Sequence, residues 1–294
     1  MVMICLGNYG LCIALLGSSL NIIYGYVLMS WGNAMIRRIG ETHIFDTLLG
    51  FSMYIIALLI LINQQHLMEM ILNGLNLRVE YITQHIKVTQ CSLTSYGNCV
   101  TVGEAIKKPI IDPGSASLAF SNMANALINS LTQLYVAEVT LTVLPFVSPV
   151  GYYLNDISRY FTWQAEWALV NTYMLYYLST IAGYAMQLTA LGASLIPIRQ
   201  VRWIGGFLFS MGLVTPIYVV TMANWLVSQG LVISINPSLI NDVKGIISLG
   251  TNLFSLGSRL EEFNVMVDVS MAIYSSILYG LSRLLGEVGL LINV

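Results

Sequence analysis

Arg199 and Arg202 are the only charged side chains between Glu166 and Asp242. They stand in the tract LGASLIPIRQVRWIGGFLFSMGLVTPIYV, from Leu191 to Val219, after Pro197 and before Gly205-Gly206. Three residues apart, they share a helical face, and their long side chains can snorkel to water from the end of a membrane span. Their chemistry is anion binding. A helix N-terminus repels cations, so something anionic must compensate: a lipid headgroup, a partner's carboxylate or a passing phosphate. The pattern predicts an interfacial basic pair, with Trp203 as its anchor.

A second group is neutral. Asn122, Asn125, Asn129 and Gln133, with Thr132 and Thr140 beside them, recur at helical spacing. Amides inside a bilayer need hydrogen-bond partners, which other helices or water supply. The row is therefore either an interhelical bonding strip or the polar wall of a water-filled conduit shared between subunits. Glu138 follows about one turn beyond Gln133. A carboxylate within a membrane span is a functional candidate, although one near Pro145 can also reach the interface. These five residues are the candidate conduit lining.

Cys91 and Cys99 flank the turn signal Tyr96-Gly97-Asn98. They read as a disulfide pinning a small loop on an oxidising outer face, with two free thiols as the plain alternative. The histidines, His43, His66 and His85, lie near span ends or in the loop, so no metal pair emerges. Glu69, three residues after His66, reads as part of a solvated pair. There is no G-x-x-x-x-G-K-[ST] loop for a nucleotide and no G-x-S-x-G elbow for a serine nucleophile. No catalytic residue, metal or cofactor is expected.

The elements that must hold these residues follow from composition. The chain has 294 residues, 56% hydrophobic and 9% charged, with a mean hydropathy of +0.75. A soluble domain carries about a quarter charged residues to wet its surface. So few charges here mean that lipid covers much of the surface. Net charge is −2, with no basic face of the kind that grips nucleic acid.

The fold class is an all-α polytopic integral membrane protein of about six transmembrane helices (about five to seven) with one small disulfide-pinned loop. Residues 1–66 form an N-terminal helix pair, with a first span near Ile4–Met29 and a second over Thr47–Gln65. The first reads as an uncleaved anchor, its N-terminus outside and Arg37 and Arg38 in the cytoplasm. Residues 67–113 form the extramembrane loop. Residues 114–228 hold the central spans: a third ending near Pro145, an aromatic surface segment from Tyr152 to Trp167, a fourth over Trp167–Leu195, and a fifth over Ile204–Val227. Residues 229–294 hold an amphipathic helix, striped by Ile246, Leu249, Leu253, Leu256 and Leu260, and a sixth span over Val265–Leu281. Basic residues divide almost evenly between the two sides, so the orientation rests on the first anchor and on the cysteine pair. Small residues mark helix contacts: Gly10, Ala14, Gly17 and Gly25 with Asn21 on the first span, and Gly205, Gly206 and Ser210 on the fifth.

Gly192, Ile196-Pro197, Arg199, Arg202, Gly205-Gly206, the apolar run and Pro216 together resemble the hydrophobic core of the TrbL family, polytopic channel components of type IV secretion and conjugation systems. Within it the order is most similar to the CedA proteins of archaeal DNA import. The resemblance implies a homo-oligomer of several copies in the cell membrane, forming a conduit for DNA, with single-stranded DNA in transit. It implies a motor ATPase on another chain and small pilin-like membrane subunits as partners, beside lipid. It brings no catalytic residues. Two other readings stay open: a permease subunit of a small-molecule transporter, and a membrane scaffold for pilus or motor subunits.

Overall fold

The computed structural model describes residues 9–63, 89–91, 99–101, 112–143, 148–198, 200–229 and 243–291, with single positions at 66, 70, 74 and 110. Among the described residues, the helices are α1 (Tyr9–Trp31), α2 (Ala34–Ile62), α3 (Pro113–Val143), α4 (Ser148–Ala182), α5 (Ala185–Leu195), α6 (Arg202–Ser228) and α7 (Val243–Leu291). Between α2 and α3, β1 (Thr89–Cys91) pairs antiparallel with β2 (Cys99–Thr101).

Helix boundaries follow local chemistry. Asn33 caps α2, its side chain accepting from the Ile36 amide at 3.0 Å. Asp112 plays that part for α3, accepting from the Ser115 amide at 3.0 Å, and Pro113 takes the first helical position, where its missing N–H costs nothing. α7 contains no proline. Its glycines stay helical where they admit a neighbour: a Cβ on Gly250 would meet Ile157 at 2.8 Å, and one on Gly257 would meet the Tyr160 ring at 2.7 Å.

Among the described residues, four stretches are long and apolar enough to cross a membrane: Tyr9–Trp31, Ala34–Ile62, Arg202–Ser228 and Ser248–Leu285. This is fewer than the six expected. The amides and threonines of α3 dilute its hydropathy, as do Asp156, Arg159, Glu166 and the tyrosines of α4. Four boundaries also differ. The expected fourth span is cut at Gly183-Tyr184, where the Gly183 amide is shared between the Ser179 and Thr180 carbonyls, and only the 11-residue α5 continues. The aromatic surface segment is no separate piece but the first half of the 35-residue α4. The amphipathic helix and the sixth span are one 49-residue helix, because nothing between them breaks the ladder. α2 begins at Ala34 rather than Thr47, its N-terminal half held by Gly40 and Ile44 against Gly25 of α1.

Two buried clusters organise the helices. The larger joins α3, α4, α6 and α7 around Phe120, Leu127, Phe161, Leu175, Leu249, Leu260 and Phe263. The smaller joins α1, α2, α5, α6 and the C-terminal part of α7 around Ala14, Tyr54, Ala190, Ile196, Phe209 and Leu285. α6 and α7 belong to both and tie the two clusters together. Close backbone approach makes the second cluster possible: a Cβ on Gly10 would lie 2.8 Å from the Met186 carbonyl oxygen, and one on Gly17 would clash with Ser194. Gly192 and Gly205 meet backbone to backbone where α5 turns into α6.

Candidate functional site

Two polar places stand out against the apolar packing. The first is the α5–α6 elbow. α5 ends at Leu195, Ile196-Pro197 turn the chain, and α6 starts at Arg202. Arg202 turns inward. It is 9% exposed, its Nε donates to the Ile196 carbonyl at 2.8 Å, and its Nη2 forms an ion pair with Asp46 of α2. For Arg202, the chain itself supplies a compensating carboxylate in Asp46. Arg199's side chain lies outside the described residues.

His43, one turn before Asp46, is half-buried, and its Nε2 has no hydrogen-bond partner among the described residues. Tyr24 of α1 packs edge-on against its ring, centroids 5.3 Å apart. Asn21 donates from α1 to the Ser194 carbonyl of α5 at 2.9 Å. Four segments therefore converge on the elbow: α1, α2, α5 and the start of α6. Sequence reasoning missed Asp46 because the expected second span began one residue later and left it in a loop. Its signal was present, as the last acidic residue before an uncharged run through Ile62.

The second place is α3. Asn122, Asn129 and Gln133 are half-buried and Asn125 is exposed. Among the described residues, none of the four amides hydrogen-bonds to the chain. The row covers about 17 Å of helix, and exposed apolar residues bracket it, Leu118 at one end and Val139 and Val143 at the other. Thr132 turns its hydroxyl back to the Ile128 carbonyl at 2.8 Å. Thr140's side chain lies outside the described residues.

Glu138 does not join this row. Nine residues beyond Asn129 it has turned through about 180°, and it is buried against α4. Ser158 donates to its Oε1, and Asn155 donates to its Oε2 at 3.3 Å. Among the described residues, only neutral donors hold this carboxylate. Nearby, Tyr135 donates to Glu166 at 3.1 Å, tying α3 to α4 once more.

The small residues lie at helix contacts. Gly10, Ala14 and Gly25 are buried on α1, and Gly205, Gly206 and Ser210 on α6. Cys91 and Cys99 face each other directly across the β1–β2 ribbon by backbone register, while their side chains lie outside the described residues. No group of three or more metal-ligating side chains occurs among the described residues. No protein-family model, curated protein or solved structure matches the chain.

Proposed function

We propose that this chain is a conduit subunit of a multi-copy membrane machine that moves DNA. The carrying observation is the α3 amide row, whose four side chains find no partner within the described residues. Unserved amides require water or another chain. A polar strip bracketed by exposed apolar residues suits a contact between copies in which the apolar ends seal and the middle stays wet. The cargo comes from the resemblance of the Leu191–Pro216 tract to the TrbL family. A neutral wall suits a polyanion in transit, since tight phosphate binding would arrest it. The motor ATPase resides on another chain, and pilin-like subunits complete the machine.

In this reading α3 and α4, at 31 and 35 residues, cross the membrane beside the four apolar stretches, giving six spans. Arg37 and Arg38 face the cytoplasm, and the Cys91–Cys99 loop, closed by a disulfide, faces outside.

The test is DNA uptake or conjugation in cells whose only copy carries Asn125→Leu and Asn129→Leu. The expected result is loss of transfer with membrane level and particle size unchanged. Normal transfer by an assembled double variant would refute the conduit.

A further inference from the structure

We propose that the cleft between the C-terminal end of α6 and α7 binds a phospholipid headgroup bearing both a phosphate and an ammonium group. The cleft has a volume of about 260 Å³ and is lined by Trp225, Gln229, Arg259, Glu262 and Phe263. α6 is one of the helices apolar enough to cross the membrane, and Gln229 is its C-cap. The cleft therefore opens at headgroup level. Its floor is apolar: the Trp225 and Phe263 rings stack with centroids 6.2 Å apart and planes at 17°.

Its rim carries opposite charges one helical turn apart on α7. Arg259 and Glu262 share the cleft, yet neither is ion-paired or hydrogen-bonded among the described residues. Two opposite charges held apart over a common space suit a dipolar ligand. The guanidinium matches phosphate oxygens by bidentate charge-assisted hydrogen bonds. Glu262, the face of Trp225 and the partly negative C-terminal end of α6 suit an ammonium. The volume is below the roughly 300–1,000 Å³ of sites for drug-sized molecules, which fits a headgroup rather than a whole lipid. The acyl chains would lie outside, along the exposed Val265 and Val269 of α7.

The test is native mass spectrometry of the full-length detergent-solubilised protein, delipidated and then titrated with phosphatidylethanolamine, phosphatidylglycerol or soluble phosphoethanolamine. Phosphatidylethanolamine should remain bound most strongly. Arg259→Gln and Glu262→Gln should each weaken it about tenfold, the loss of one charge-assisted hydrogen bond, with helical circular dichroism unchanged. The exchange Arg259→Glu with Glu262→Arg should restore much of the binding if either single variant is unstable. Unaltered retention in Arg259→Gln, or phosphatidylglycerol bound as well as phosphatidylethanolamine with Glu262→Gln silent, would overturn the site. Soluble phosphoethanolamine bound as tightly as the lipid would overturn the lipid as its source.

Discussion

Arg202 and Asp46 stand 156 residues apart in sequence, yet each is the other's only charged partner among the described residues. Their side chains are 10% and 12% exposed, so removing either leaves a charge stranded away from water. Asp46→Ala or Arg202→Ala should each destabilise the protein by about 3–5 kcal/mol. Replacing both with apolar residues of similar size, Asp46→Leu with Arg202→Met, should recover most of that loss, because a buried pair contributes little net stability over a well-packed apolar one. Thermal unfolding in detergent reads all three variants, and a double variant as unstable as the singles would contradict the pairing. Glu138 is a different kind of buried charge, held by the Ser158 hydroxyl and the Asn155 amide rather than by a cation. In the sequence it reads as part of the amide row, yet five residues beyond Gln133 means about 140° around the helix. Asp46 pairing with Arg202 was not legible in the sequence, because a contact between distant segments leaves no local pattern.

Among the elements, α5 and α6 are held by backbone contact as much as by side chains. A Cβ on Gly192 would fall within 2.6 Å of the Gly205 carbonyl oxygen and 2.8 Å of the Phe209 Cα. Backbone cannot swing aside as a side chain can, so Gly192→Ala should cost about 1–3 kcal/mol, as overpacking does. A Cβ on Gly280 of α7 would meet nothing within 4 Å, so Gly280→Ala should be neutral or stabilising by up to about 1 kcal/mol from helix propensity. Thermal midpoints of the two variants check the contrast, and equal midpoints would contradict it. α6, with Trp203 and Trp225 near its ends, was legible from its apolar run and its preceding turn. The unity of α7 was not. Its polar first half resembles a separate surface helix, but Leu249, Leu253 and Leu260 stay buried while Gly250 and Gly257 seat α4. Tertiary packing carries the helix across a change in polarity that looks, in the sequence, like a boundary.

At the scale of the whole molecule, lipid exposure and core packing divide the chain. The apolar stretches of α1 and α2 are only 17% and 28% buried within the chain, against 50% for α6. The first two keep most of their surface outside the chain's own packing, whereas neighbouring helices cover half of the third. The scarcity of charge foretold helices apolar enough to cross a membrane, of which four occur among the described residues. Their number was not legible, because α3 and α4 combine great length with polar faces. The register of β1 against β2 sets Cys91 opposite Cys99, and directly opposed residues in an antiparallel pair have Cα atoms about 4.5–5.5 Å apart, within disulfide range. Non-reducing peptide mass spectrometry should find Cys91 linked to Cys99, and both recovered as free thiols would contradict an outer-face loop.

The amide row on α3, unserved among the described residues, bears on assembly. Particle mass in mild detergent tests this most directly. The conduit predicts a ring of several 32.4 kDa chains that persists on dilution. A monomer or dimer at all concentrations would contradict it and would fit a small-molecule carrier instead.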